Sequence, residues 1–177
     1  KEKAEQLHKE LVETIASNDE GLMEKYFDQG ELSEEDMKAG LHASMIKHDI
    51  FPLFCASAEK NMGCGRIMSF IDYVCPAPNE MPPQKTTAGG TLACEMKGPA
   101  CIFVFKTIIE PHIGELSLFK VYSGVVKTGS ELLNENTGVT EKINQLFLME
   151  GHNRIAVQEL AAGDIGATIK VRSTHVN

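Results

Sequence analysis

The sequence of 177 residues lacks several features that would point to a membrane or to catalysis. No run of 18 uninterrupted apolar residues occurs, so we expect no membrane-spanning helix and no membrane partner. The GxxxxGK[ST] motif is absent, and with it the nest of backbone amides that holds the phosphates of a nucleotide. Neither H-E-x-x-H nor G-x-S-x-G is present. The sequence therefore predicts no catalytic residue in this chain.

Metal-binding patterns are also missing. The five cysteines are odd in number, widely spaced and without a C-x-x-C pair, which argues against a zinc site and against a secreted disulfide framework. We expect free thiols packed as small apolar side chains in a reducing, cytoplasmic environment. The histidines are scattered, so we expect surface or loop positions and no metal site at His8, His42, His48, His112, His152 and His175.

Charge is distributed unevenly along the chain, whose net charge is −8. Residues 1–80 contain 8 Lys and Arg against 16 Asp and Glu, whereas residues 81–177 contain 9 of each kind. This asymmetry indicates two units. The acidic half is repelled by phosphate backbones, so any contact with RNA must be local.

Helical periodicity dominates the first half. Leu7, Leu11 and Ile15 recur every four residues, as on one face of an amphipathic helix. Asn18 is a candidate cap for a second helix. Ser33, followed three residues later by an aspartate, resembles a capping box for a third helix.

A strand–loop–helix unit follows. Residues 50–56 are almost continuously apolar, which is typical of a strand buried on both faces. A polar turn over residues 57–63 leads into a helix that carries Ile67, Ile71 and Val74 and that ends before the prolines at 76 and 78. This unit is too small to be a complete α/β domain.

Residues 76–90 form a linker rich in Pro, Gly and Thr, after which the pattern changes to short strands. Residues 101–109 and 116–122 are strongly β-prone, and turn signals recur around the glycines at 124, 129, 138, 151 and 163. This spacing predicts a small antiparallel barrel. Four phenylalanines in apolar runs are predicted to be core residues: Phe103, Phe105, Phe119 and Phe147.

An ordered series of motifs over essentially the whole chain resembles the elongation factor G family of translational GTPases. LMEKY at 22–26 and ELSEE at 31–35 look like the helical insert of its GTPase domain. CASAEKNMG at 55–63 resembles the last guanine-contacting loop, and DYVCPAP at 72–78 the end of the final helix. In the barrel the matching segments are 103–106, 114–116, 119–124, 127–130, Met149 and 162–165.

The resemblance implies an α+β, multi-domain fold. Residues 1–79 would be the helical insert and the last strand–helix unit of a P-loop GTPase domain, 80–91 a linker, and 92–177 a translation-factor β-barrel, the second domain. The chain starts with Lys1, which favours an origin inside a longer protein. That parent would bind GTP and Mg²⁺ through a phosphate loop outside this chain. The chain itself would have no cofactor and no activity.

The resemblance also implies binding residues. The amide of Ala58 would donate to guanine O6, and Ser57 would hold the loop in place. Four basic residues of the barrel would contact phosphates of ribosomal RNA: Lys106, Lys120, Lys127 and Arg154.

The implied function is GTP-dependent translocation of tRNA and mRNA by a monomeric cytoplasmic factor, with the small ribosomal subunit, its RNA and its proteins as partners. Three departures suggest a divergent paralogue. Glu59 stands where the family more often has a hydrophobic or basic residue. Cys55 stands at the position of the usual glycine, and His42 at a position where arginine is common. Open alternatives are a ribosomal protection protein that expels an antibiotic, peptide release factor 3, which the 22–26 segment fits less well, and a non-ribosomal protein-interaction module.

Overall fold

The computed structural model describes residues 1–87, 89–110, 114–171, 173–174 and 176. They form two compact units, Lys1–Glu80 and Met81–Asn177. The first unit is helical, and its elements, in chain order, are α1 (Glu2–Ser17), α2 (Glu20–Gln29), α3 (Glu34–Lys47), α4 (Cys64–Tyr73) and a 3₁₀ turn (Pro78–Glu80).

The last two turns of α1 pack against α2 and α3. The buried residues of α1 are Val12, Ile15 and Ala16. A Cβ atom at Gly40 of α3 would lie 2.5 Å from Ile15 Cγ2, so this glycine permits the close approach of the helices. The prediction for Ile15 is confirmed, but Leu7 is 54% exposed and Leu11 is 41% exposed. The predicted amphipathic helix is confirmed, but its apolar stripe is buried only at the C-terminal end, because only that part of α1 meets its neighbours.

Helix caps explain where α2 and α3 begin. The cap of α2 is Asp19, whose Oδ1 accepts from the Leu22 amide at 3.0 Å. The predicted cap, Asn18, instead ends α1 and donates from Nδ2 to Ser44 Oγ at 3.3 Å. The prediction for Ser33 is confirmed, since its hydroxyl caps α3 by accepting from the amide three residues later at 3.1 Å.

An ion pair joins α2 to the first turn of α3. Lys25 Nζ lies 2.5 Å from Asp36 Oδ1. The hydrogen bond from Lys25, followed by that from Ser33, lowers the pKa of Asp36. A depressed carboxyl pKa stabilises the folded state above the unfolded pKa, and that stabilisation is lost as the pH falls through the folded pKa.

Residues 50–56 form no strand, contrary to the prediction. Phe51 and Leu53 are 78% and 93% exposed. A strand requires a neighbour for its backbone groups, and the described part of Lys1–Glu80 offers only the single bridge between Ser57 and Met62. The apolar run therefore stays unpaired.

The second unit is built of antiparallel strands. A short hairpin of β1 (Gln84–Lys85) and β2 (Thr91–Leu92) lies where the sequence predicted a linker. The other strands are β3 (Cys101–Glu110), β4 (Gly114–Ser123), β5 (Val125–Lys127), β6 (Glu131–Asn134), β7 (Val139–Lys142), β8 (Leu146–Glu150), β9 (Asn153–Val157), β10 (Glu159–Ala161) and β11 (Ile165–Ile169).

Five of these strands form the main sheet, in the order β3-β4-β11-β8-β9, while β5 pairs with β10 and β6 with β7. The predicted turn glycines 124, 129, 138, 151 and 163 all have positive φ. At Gly124 a Cβ atom would also lie 2.7 Å from the Ala100 amide nitrogen, so the turn needs glycine there for space as well as for conformation. The predicted small antiparallel, barrel-like domain is confirmed.

The core of this unit lies on both faces of β4. One face carries Phe119 and Val121, which pack in a buried cluster completed by Val126, Ile143, Leu146, Leu160 and Val171. On the other face Leu116 packs against β11, with Phe147 partly buried at the margin. The core predictions for Phe119 and Phe147 are thus confirmed.

Phe103 and Phe105 are not core residues. They are 49% and 39% exposed. Phe103 is paired across the strands with Lys120, on the face of β4 opposite to Phe119, and Phe105 lies at a register shift of β3. β3 is an edge strand of the sheet, so among the described strands it pairs with β4 alone.

We expect Phe119→Ala to lower the free energy of unfolding of the second unit by about 3–5 kcal/mol, since the ring is completely buried. Urea denaturation followed by circular dichroism measures this change. Ile109→Ala is the matched control: Ile109 is 80% exposed on β3, so a loss well below about 1 kcal/mol is expected. Equal losses in the two variants would contradict the described core.

The predicted domain bounds, with a linker over 80–91, are tested by limited proteolysis. We expect the first cuts between residues 76 and 90, and a resistant C-terminal product. Amides of residues 119–122, in the centre of β4, should exchange more slowly than those of 53–56, which form no ladder. Equal exchange in both segments, without linker cleavage, would contradict the two-domain division.

Candidate functional site

The predicted guanine loop closes on itself between residues 57 and 62. The Ser57 amide donates to the Met62 carbonyl at 3.0 Å, and the Met62 amide donates back to the Ser57 carbonyl at 2.9 Å. The Asn61 amide donates to the Ala58 carbonyl at 3.1 Å. The Ser57 hydroxyl accepts from the Lys60 amide at 3.4 Å, so this side chain helps to close the turn.

The residues at the tip of this loop, Ala58 and Glu59, are exposed. Among the hydrogen bonds of the described residues, the Ala58 amide donates to none. This N–H is therefore available to an external acceptor, and the small methyl side chain beside it leaves the approach open. The next residue, Glu59, carries a negative charge beside this position in the sequence.

Gly63 connects the loop to α4. It precedes the helix with φ +78°, and a Cβ atom there would lie 3.1 Å from the Cys55 carbonyl oxygen. Both the left-handed conformation and the close carbonyl favour glycine.

We expect Gly63→Ala to destabilise the helical unit by roughly 1 kcal/mol, because alanine at positive φ is strained. Thermal unfolding followed by circular dichroism measures the change. Gly65→Ala is the matched control, since Gly65 lies within α4 with open space around it. That variant should gain up to about 1 kcal/mol from helix propensity. A stabilising Gly63→Ala would show that the loop has another conformation.

Two of the four predicted RNA-contacting residues are held by carboxylates. Arg154 Nη1 lies 2.8 Å from Glu110 Oε2, and these two side chains are 29% and 25% exposed. Lys127 Nζ lies 3.2 Å from Glu159 Oε2 in a more exposed pair. Their charges are compensated locally, which weakens the case for either residue as a phosphate contact.

The other two, Lys106 and Lys120, lie on the paired strands β3 and β4. Lys106 is paired with Leu118 and Phe103 with Lys120, so the two lysines are diagonal neighbours on one face of the sheet. Neither forms an ion pair with a carboxylate of the described residues. Lys120 Nζ lies 5.6 Å from the centroid of the Tyr122 ring. The fold therefore brings together two of the four predicted cations.

Sequence reasoning missed the aromatic part of this face. The rings of Phe103 and Tyr122 meet edge to face, with centroids 6.1 Å apart. Phe103 was assigned to the core because its neighbours in sequence are apolar. The alternation of side chains along β3 and β4 places Phe103 on the face of the sheet opposite to that of Phe119. Applying this alternation requires the strand register, which the sequence alone does not give.

The described cysteines are all free thiols, as predicted. Burial, with a smaller contribution from Glu135, raises the pKa of Cys101. Cys55 is exposed and so is not packed as the sequence predicted. Cys101 and Glu135 both line a cavity of about 510 Å³ between the edge of β3 and the β6–β7 hairpin.

Among the histidines, His42 is not a simple surface residue. Its Nδ1 lies 3.0 Å from the Val74 carbonyl oxygen and its Nε2 3.6 Å from Glu80 Oε1. His8, His48 and His152 are exposed, as predicted, while His112 and His175 lie outside the described residues.

Within the described ranges no group of three or more His, Cys, Asp or Glu side chains is arranged to hold a metal ion. None of the helices described here has the length and apolar character needed to cross a membrane.

Comparisons with known proteins bear on both units. Residues 99–176 match the family model described as elongation factor G domain 2. A crystal structure of a protein from Thermus thermophilus is similar over 99% of this chain, with a TM-score of 0.70 and 26% sequence identity. The chain spans 24% of the length of that protein.

Proposed function

We propose that this chain is part of an elongation factor G-type protein and that its parent is a ribosome-dependent GTPase that promotes translocation of tRNA and mRNA. The match of residues 99–176 to the second domain of that family carries the proposal. The parent acts in translation as a cytoplasmic factor, and its partner is the small ribosomal subunit.

In this proposal the loop of residues 57–62 recognises guanine. The exposed Ala58 amide donates to guanine O6, while the Ser57 hydroxyl keeps the turn closed. The fit is supported by the amide that has no acceptor within the described residues. Affinity for phosphates and Mg²⁺ comes from parts of the parent outside this chain, and those contacts normally supply most of the binding energy of a nucleotide.

The barrel-like unit contacts ribosomal RNA. Lys106 and Lys120 are the favoured phosphate contacts because they are diagonal neighbours on one face of the sheet and form no ion pair with a carboxylate of the described residues. Lys127 and Arg154 remain candidate phosphate contacts, but a phosphate would have to displace or share their carboxylate partners, Glu159 and Glu110.

The central test uses the intact parent. We expect its rate of GTP hydrolysis to rise at least about tenfold when ribosomes are added, and the same ribosomes to advance by one codon in a toeprinting assay. Ribosome binding and stimulated hydrolysis without codon movement would instead favour the ribosomal protection alternative. A parent that neither co-sediments with ribosomes nor responds to them would exclude a ribosomal role.

In the intact parent, Ala58→Pro should weaken binding of GDP and GTP about tenfold. The substitution removes the amide donor, and one hydrogen bond to the base contributes roughly 1–2 kcal/mol. Ala58→Gly keeps the amide and should bind within about twofold of the unchanged protein. Ser57→Ala should give an intermediate loss. Fluorescent-nucleotide titration measures all three, and unchanged affinity in both Ala58→Pro and Ser57→Ala would refute the loop assignment.

The isolated 177-residue chain should not bind GTP at micromolar concentrations, because it contains no phosphate loop. Isothermal titration calorimetry with Mg²⁺–GTP measures this. A dissociation constant in the micromolar range or below would show that the chain holds phosphates by another route.

A further inference from the structure

An aromatic pair, Phe103 and Tyr122, lies on the face of β3 and β4 opposite to Phe119. Phe103 is 49% exposed although it lies in an apolar run. Its ring meets that of Tyr122 with an interplanar angle of 75°. In this edge-to-face arrangement each ring holds the other in place, which leaves ring surface of Phe103 open to solvent.

Two lysines lie on the same face as this pair. Lys120 is directly opposite Phe103 in the strand register, and its Nζ lies over the Tyr122 ring at 5.6 Å. Lys106 is the diagonal neighbour of Lys120. No ion pair with a described carboxylate compensates either cation. The face thus combines two aromatic rings with two available cations.

This combination fits single-stranded RNA better than a purely apolar protein surface. An unpaired base stacks on an aromatic ring whatever its sequence, and nearby lysines neutralise the flanking phosphates. A purely apolar partner would leave two desolvated ammonium groups without counter-charges. RNA supplies both the aromatic surface and the negative charge.

We propose that Phe103, Tyr122, Lys120 and Lys106 form a stacking platform for an unpaired RNA base. The inference rests on the proposed ribosomal function and adds a mode of recognition to it: contact with the base as well as with phosphates. The platform is defined by Phe103 and Tyr122 as the stacking rings and by the two lysines as phosphate contacts.

The test uses the 177-residue chain and a fluorescein-labelled strand of about ten uridines at low salt. Fluorescence anisotropy gives the dissociation constant. A strand of the same length without bases keeps the phosphates and removes the stacking partner. We expect it to bind at least about fivefold more weakly than the uridine strand, the lower end of the effect of removing one base–aromatic stack.

Phe103→Leu should weaken binding of the uridine strand by at least about fivefold and leave binding of the baseless strand unchanged. Leucine keeps an apolar side chain on β3, and thermal unfolding checks that the fold is retained. Phe27→Leu is the matched control, because Phe27 is an exposed phenylalanine of the helical unit. It should not change either affinity.

The lysines are tested by salt dependence. Lys120→Gln should lower the slope of log K against log salt concentration by about 0.7, the value for one neutralised phosphate of a single strand. Lys142→Gln, at an exposed position of β7, is the control and should leave the slope unchanged.

A direct signal comes from tyrosine fluorescence, since the chain has no tryptophan and three tyrosines. In a Tyr26→Phe, Tyr73→Phe background only Tyr122 emits. Quenching of this emission by the uridine strand, and not by the baseless strand, is expected for a base on the platform.

Equal binding of the two strands, insensitivity to Phe103→Leu, or no binding at all would each overturn the platform. These outcomes are distinct from failure of the proposed function, which is measured by ribosome-stimulated GTP hydrolysis of the parent. A parent that is active on ribosomes, together with a chain that does not discriminate between the strands, would refute the platform alone.

Discussion

The second unit depends on the burial of one strand, β4, from both sides. Phe119 and Val121 fill the interior cluster, while Leu116 is buried against β11 on the other face. A strand covered on both faces has its register fixed twice, because a slip of one residue would exchange the two buried sets. The positions of β3 and β11, which pair with β4 on its two edges, follow from that register.

The strand pattern of this unit could be predicted because it is local. Turn glycines and alternating β-prone segments are visible in the sequence, and the structure has turns at those glycines with β3 and β4 as long strands. Burial of individual phenylalanines could not be predicted in the same way. Phe119 and Phe103 both lie in apolar runs, but cross-strand pairing places them on opposite faces of the hairpin. Sequence composition does not tell which face of the sheet is packed against the other strands.

In the first unit, one prediction from local sequence failed. Its helices were visible from periodicity and from the Ser33 cap, but residues 50–56 are as apolar as a buried strand and form none. An apolar, β-prone segment forms a strand only when a neighbouring strand is available to pair with it. The turn over residues 57–62 was predictable in outline because six residues are stabilised within themselves, through the paired Ser57 and Met62 backbone groups. Its role in guanine binding stays a prediction. The grouping of Lys106 with Lys120, and the pairing of Arg154 with Glu110, required the sheet.

The net charge of the chain does not predict whether its second unit can bind RNA. The chain carries −8 overall, but the excess of acids lies in residues 1–80, and residues 81–177 are balanced. Fields of exposed charges are screened beyond about 8 Å at physiological ionic strength. A phosphate near Lys120 therefore responds mainly to the charges beside it, and those of Lys127 and Arg154 are already compensated by Glu159 and Glu110. The proposed recognition of RNA therefore has to be local, at a place where cations lack acidic neighbours and where an aromatic ring adds to the affinity.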